Sequence, residues 1–316
     1  MKKTNIRSSK LLTKHVRKMF SSLIRLIMLC AVGYLVIFPL VHMVTSAFKT
    51  LDAFKDPTIV WISPEWTLDS VKLALEALDF GKSLRATLIY EMVSAVLQVA
   101  SCAIAAYGLS RFEFKGKKIL TLFLLLMIII PEQMIVLPST VSYSQFDFFG
   151  IVTLINKLFG TEIRINMLDT VFPFWAPSFF GVGLKSGILI YIYIQFFKGL
   201  PKELEEAAWL DGAAPFRTFL SIAIPSSTVV IFTVFVFSLI WHWNDYSYAA
   251  MYVNQNYTLA VILSDIVNNL QQMGYYNNAM GIILAACLLF VLPMLIVYLL
   301  IQKQFIKSID RVGITG

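Results

Sequence analysis

Apolar residues run along this chain in long blocks, separated by short polar islands. Blocks at roughly 23–47, 84–108, 119–141, 172–197, 226–249 and 281–302 each exceed the ~18 residues that carry a helix across a hydrocarbon core about 30 Å thick. Backbone polar groups in lipid must be satisfied within the segment, which selects helices for such blocks. The pattern therefore predicts an all-α, polytopic membrane protein with six transmembrane helices. Composition agrees: 58% of residues are hydrophobic and 14% charged, the latter about half the share of a soluble domain.

The polar islands set the expected orientation, because basic residues near spans stay cytoplasmic. Lys2, Lys3, Arg7, Lys10, Lys14, Arg17 and Lys18 precede the first block with no acid among them. Residues 1–22 thus read as a basic cytoplasmic arm, each cation contributing on the order of 1 kcal/mol at an anionic lipid surface. The first block is longer than a signal-peptide core and lacks a small-residue cleavage pattern, so it reads as a retained anchor. Arg111, Lys115, Lys117 and Lys118 dominate the 109–118 loop, and Lys303, Lys307 and Arg311 dominate the tail 303–316. The loop 48–82 is mixed, and 250–280 holds only Asp265. Both termini and the 199–225 loop fall on the cytoplasmic side, with 142–171 an external loop. The net charge of +7 is then positive-inside bias and calls for no nucleic acid.

No catalytic, cofactor or metal site is expected. Cys30, Cys102 and Cys287 all lie inside spans with no ligand spacing, and His15, His42 and His242 are scattered. No internal repeat is visible, which speaks against a secondary transporter built from two related halves.

One cytoplasmic island stands out. From Glu203 to Pro225 the chain reads ELEEAAWLDGAAPFRTFLSIAIP. Pro201 suits a first helical turn, Glu203, Glu205 and Glu206 suit the positive end of a helix dipole, and Gly212 suits a left-handed stop. Pro215 can open a second short helix. Two short helices joined at a glycine make a rigid knob that presents Glu203, Glu206 and Asp211, with Ala207 and Ala208 small enough for close approach.

Glu206-Ala207-Ala208, Gly212, Ile222, Ile224 and Pro225 resemble the EAA loop of ABC-transporter permeases; Ile224 stands where leucine is usual. The segment Ala105 to Phe112 with Phe114 and Lys115-Gly116-Lys117-Lys118 resembles the maltose-type, carbohydrate-uptake branch of that family. So do Pro131, Gln133 and Pro138, Trp243-Asn244-Asp245-Tyr246, and the tail from Gln302 through Gly313 and Gly316. Departures are Arg85-Ala86-Thr87 at the entry to the second block, Asp310, Arg311 and Thr315 in the tail, and an apparent insertion at 150–171. That insertion leaves two readings open, contact with a binding protein or a cap on the bundle.

The resemblance implies a type I ABC importer permease fold over 23–316 in a bacterial cytoplasmic membrane. It implies a second homologous permease subunit, two copies of an ABC ATPase subunit and an extracytoplasmic solute-binding protein. Glu203, Glu206, Ala207, Ala208, Asp211 and Gly212 become the ATPase-docking set. ATP and Mg would belong to that partner, since this chain has no phosphate-binding Gly-x-x-x-x-Gly-Lys-Ser/Thr loop and is not expected to be an enzyme. The expected cargo is a carbohydrate, with an oligosaccharide favoured; amino acids or peptides, and an ion-coupled secondary transporter, are the alternatives.

Polar residues within spans mark helix contacts or a solute path. Thr87, Glu91, Ser94, Gln98 and Ser101 recur at intervals of four and three and so share one helical face. Helix-to-helix hydrogen bonding is the first reading of that stripe and pathway lining the second. Glu132 sits beside Pro131, which can kink its helix. In the fifth block Ser238, Trp241, His242, Asp245 and Tyr248 share a face next to Asn244. Trp241, Asn244, Asp245, Tyr248, Glu91, Gln98 and Glu132 are the candidate substrate pathway, against the alternative that the aromatics mark a membrane interface and Asn244–Asp245 fix a helix end.

Overall fold

The computed structural model describes residues 2–50, 53, 54, 56, 63–276 and 279–313. Thr315 and Gly316 of the tail lie outside them. Among the described residues the chain is helical, with no strand beyond an isolated antiparallel bridge between Lys49 and Trp66. We number its segments α1 (Lys2–Ala47), α2 (Asp69–Ala77), α3 (Phe80–Arg111), α4 (Lys117–Ile129), α5 (Gln133–Ser144), α6 (Ile151–Phe159), α7 (Phe172–Phe179) and α8 (Ser186–Gly199). Then follow α9 (Lys202–Leu210), α10 (Pro215–Ser226), α11 (Thr228–Trp243), α12 (Ser247–Tyr252), α13 (Leu259–Ser264), α14 (Ile266–Gln272) and α15 (Met280–Gly313).

Among the described residues three helices are long and apolar enough to cross a membrane: Lys18–Ala47, Phe80–Arg111 and Met280–Gln302. Two bent pairs raise the number to five if each pair is one span. The block over 119–141, which Pro131 is expected to be able to kink, is one of these pairs, α4 and α5 meeting at 107°. Pro131 removes a donor and clashes with the preceding turn, so the bend sits there. The block 172–197 is likewise not one helix but α7 and α8, parted at 180–185, where Gly181 is left-handed and Gly183 lies against Ser178. The fifth block ends at Trp243 rather than 249, and α12 restarts the helix at Ser247.

Contacts divide the chain into two compact units, residues 1–74 with 275–289 and residues 75–274 with 290–316. In the first, the Phe48 and Trp66 rings lie 6.0 Å apart beside the Lys49–Trp66 bridge. The side chains of α1 from Met19 to Val44 are almost all exposed and apolar, the composition of a lipid-facing or partner-facing helix.

The second unit is organised on α3. Small residues at Ala95, Cys102, Ala103 and Ala106 let neighbouring helices approach closely, the membrane substitute for hydrophobic driving force. Leu189, Tyr193 and Phe197 of α8 and Val230 and Val234 of α11 fill the same core. Gly187 serves the α8–α4 contact, since a Cβ there would sit 3.1 Å from Met127 and Ile128. Within α3 the turn Leu88–Met92 widens to π-helical geometry, a distortion often found at functional positions.

Candidate functional site

The 200–226 segment folds as two short helices about a glycine. Pro201 takes an extended conformation just before α9, one position earlier than the first turn expected for it. Glu203 and Glu205 occupy the first turn of α9. Gly212 ends the motif at φ +81°, with its N–H donating to Trp209 O at 3.0 Å and that of Ala213 to Ala208 O at 2.9 Å. Those bonds cap carbonyls the helix end would leave orphaned. Pro215 opens α10, which contains a second π-turn at Phe219–Ala223 and meets α11 at 82°.

Glu203, Glu206, Ala207, Asp211 and Gly212 are exposed and Ala208 is half-buried. Leu210 is 90% exposed and Phe216 62%. The knob thus carries acidic and apolar groups side by side on its exposed surface.

One acid of the run is buried. Glu205 lies 3.1 Å from Arg111 Nε, both side chains almost fully enclosed, and Arg111 Nη2 donates to Leu200 O at 2.6 Å. The two groups sit at the ends of elements far apart in sequence, α9 and the last turn of α3. Next to them the Tyr107 ring packs against Phe112, Phe197 and Phe219, joining α3, α8 and α10. The knob is therefore seated on the end of α3 by an ion pair and an aromatic cluster. The adjoining 109–118 turn is closed by Lys117, which donates to Phe112 O and Glu113 Oε1; that bond holds the exposed Glu113 carboxyl below its ordinary value.

A cavity of about 590 Å³ opens where α4 and α5 bend away from each other. Its volume falls within the ~300–1,000 Å³ of small-molecule sites. Glu91, Glu132, Asp245 and Tyr248 line it, together with Tyr143, Phe174, Lys185, His242 and Tyr252. Lys185 Nζ lies 3.5 Å from Glu132 Oε1 and 5.1 Å from the centre of the Trp241 ring. Lys185 itself holds a left-handed φ of +52°, strained for a lysine, at the break between α7 and α8.

Behind the cavity a buried polar network ties three helices. Gln98 Nε2 donates to Leu184 O at 2.5 Å and Ser186 Oγ at 2.7 Å, and Gln98 Oε1 accepts from Ser238 Oγ at 2.7 Å. His242 bridges Gln98 Oε1 at 3.2 Å and Glu91 Oε2 at 2.9 Å. Glu91 Oε1 has no hydrogen-bond partner. Thr87 Oγ1 accepts the Leu259 N–H at 2.8 Å, and Ser101 Oγ donates to Ser178 O at 2.6 Å. Ser94 turns back to its own helix at Tyr90 O.

The stripe read from the sequence is thus chiefly a helix-joining device. Only Glu91 of its members reaches the cavity; Gln98 does not line it. Of the fifth-block candidates, Asp245 and Tyr248 line the cavity, whereas Trp241 and Asn244 do not; the Trp241 ring lies beneath Lys185, which does. Asn244 Nδ2 donates to Ile240 O at 2.8 Å and Asp245 Oδ1 accepts the Tyr248 N–H at 3.2 Å, so this pair fixes the helix end. The sequence reading did not select Glu205, Arg111, Lys185, Tyr143 or Tyr252.

Residues 99–311 match the family described as binding-protein-dependent transport system inner membrane component. The chain is 27% identical over 254 residues to the alpha-glucoside transport system permease protein AglG of Rhizobium meliloti, covering 80% of this chain and 61% of that protein. It is 25% identical over 303 residues to the maltodextrin transport system permease protein MdxG of Bacillus subtilis, covering 95% and 98%. Against the melibiose/raffinose/stachyose import permease protein MelC of the same organism the figures are 26% over 271 residues, 84% and 88%. The fold is shared, at a TM-score of 0.68 and 16% identity, with a chain of a bacterial ABC transporter that imports the acidic polysaccharide alginate. That likeness covers 90% of this chain and 96% of the other.

Proposed function

The chain belongs to the family of binding-protein-dependent transport system inner membrane components, and from that premise we propose that it is the permease subunit of an ATP-driven carbohydrate importer. It resides in a bacterial cytoplasmic membrane as a six-span, type I importer permease with both termini in the cytoplasm, forming half of the pathway beside a second, homologous permease. Two ATPase subunits dock below and a solute-binding protein above. ATP and Mg are held by the ATPases; this chain contributes docking, coupling and the solute path, and carries no cofactor.

The observation that carries this reading is the two-sided knob. Its outer side offers Glu203, Glu206, Asp211 and the exposed Leu210 to a partner, while its inner side is fastened to α3 through Glu205 and Arg111. A push on the knob is delivered to the helix that also holds Glu91 and Gln98. The bent junction between α10 and α11, with the π-turn of α10 just before it, gives way at the same time. The cavity is lined by Tyr143, Tyr248 and Tyr252, an aromatic set of the kind that packs against the apolar sides of sugar rings. The carboxyl oxygens of Glu91, Glu132 and Asp245 accept hydrogen bonds from hydroxyl groups. The carbohydrate names borne by AglG, MdxG and MelC support sugar over amino acids or peptides.

The test is uptake by proteoliposomes holding the assembled complex and its binding protein, with radiolabelled maltotriose as probe. Uptake is expected only with internal ATP and only with the binding protein outside. Uptake driven by a proton or sodium gradient without ATP would sink the proposal; ATP-dependent uptake of amino acids or peptides with no sugar transported would replace the cargo.

A further inference from the structure

The 142–171 loop holds a feature the transport reading does not use. Helix α6 (Ile151–Phe159) is sharply two-faced: Ile151, Val152, Leu154, Ile155, Leu158 and Phe159 form one side, and Thr153, Asn156 and Lys157 the other. We propose that α6 lies in the membrane–water interface as an amphipathic anchor, with its apolar face against the lipid acyl boundary.

Three observations carry this. First, the apolar face is uncovered, with Leu158 69% and Phe159 75% exposed and Phe149, just before the helix, 91% exposed. Four polar side chains of the loop, in contrast, bond one another or the loop backbone: Asp147, Thr153, Asn156 and Thr161. Asp147 accepts the Val152 and Thr153 N–H groups and the Thr153 hydroxyl, and Asn156 bonds Thr161 and both backbone groups of Ile163. Second, the loop is short-tethered. Phe146 N–H donates to Ile165 O and Met167 N–H to Tyr143 O, each at 2.8 Å, so the returning strand is pinned to the exit of α5. Residues 147–150 then reach no more than about 14 Å before α6 begins. Third, α5 exposes Met134, Leu137 and Val141 along one side, as a lipid-facing helix does, and the tether keeps the start of α6 close to the end of α5.

Lipid is favoured over the binding protein as occupant. A protein that docks and leaves in every cycle meets a surface of ordinary mixed polarity. The α6 face is unbroken hydrocarbon, and its opposite face carries Lys157 toward water and headgroups, the pattern of an interfacial helix.

The test uses nitroxide labels in the assembled complex, in nanodiscs of phosphatidylethanolamine and phosphatidylglycerol, with Cys30, Cys102 and Cys287 replaced by alanine. Labels at Leu154→Cys and Leu158→Cys are expected to collide more with oxygen than with a water-soluble nickel chelate. A label at Lys157→Cys is expected to show the reverse. Phe159→Cys, on the rim of the same face, repeats the reading should Leu158→Cys disturb the loop. Preferential nickel collision at all positions would overturn the proposal. So would protection from both reagents that arises only when the binding protein is added, or protection in its absence, which would assign the face to the partner permease.

Discussion

Replacing Glu205 by glutamine keeps the shape of the knob's anchor and removes its charge, leaving Arg111 enclosed without a counter-ion. Losing one member of a buried ion pair costs roughly 3–5 kcal/mol. Arg111 keeps its bond to Leu200 O at 2.6 Å, so the low end applies, about 3 kcal/mol. At ~1.4 kcal/mol per tenfold change, that is about a hundredfold rise in the unseated population of the knob. Two assays on the reconstituted complex read it. Hydrogen exchange across 200–215 should accelerate by up to that factor. Transport should fall while ATP hydrolysis continues, because the outer docking face is untouched and only the link to α3 is cut. The exposed Lys82–Asp79 pair, separated by 3.1 Å, is the control; an exposed pair contributes about 0–1 kcal/mol, so Lys82→Gln should leave both readings alone. Unchanged exchange and transport in Glu205→Gln, or equal loosening of the knob by Glu203→Gln, would refute the argument.

Other consequences follow from the same geometry. Glu206→Lys with Ala207→Arg, both on the exposed face, should abolish retention of the ATPase on purification; the melting temperature of the chain alone should stay put, since surface changes are usually within ~0.5 kcal/mol. Gln98→Leu strands Leu184 O, Ser186, Ser238 and His242, and at ~0.6 kcal/mol per intramembrane hydrogen bond should cost about 2 kcal/mol, read as an earlier thermal transition in detergent. The Thr153 hydroxyl and the Val152 and Thr153 amides hold the Asp147 carboxyl below its ordinary value. A depressed folded-state value adds stability above the unfolded value that disappears as pH falls through the folded one. Protection of 150–163 against exchange, compared with Asp147→Asn at each pH, should therefore exceed the variant's near neutrality and converge with it in acid.

How far the sequence spoke for the structure depends on the reach of each interaction. The knob was legible because its signals are local: acids at a helix start, Gly212 where a left-handed residue is needed, Pro215 at a new first turn. The stripe from Thr87 to Ser101 was legible as a face because helical spacing is fixed, but not its division of labour. Whether Glu91 meets a cavity and Gln98 a neighbouring helix depends on α8 and α11, over a hundred residues away in the second case. Arg111–Glu205 was hidden for the same reason; three acids within four residues look equivalent until α3 arrives beneath one of them. The split of 172–197 did have a local signal, Pro177 with Gly181 and Gly183, which a criterion of apolar length alone passes over. Lys185 gave none, since its left-handed backbone is imposed by that break rather than by its own chemistry.

On the proposed function, this chain is moved by another subunit's ATP. Mild-detergent purification from its own membranes, with mass spectrometry of what stays bound, tests that most directly. A stoichiometric ATPase bearing a phosphate-binding loop, together with a second permease, is the predicted result, and the ATPase should be lost in the Glu206→Lys, Ala207→Arg variant. A stable chain that emerges alone, with no ATPase at any detergent concentration that preserves its fold, would contradict the account.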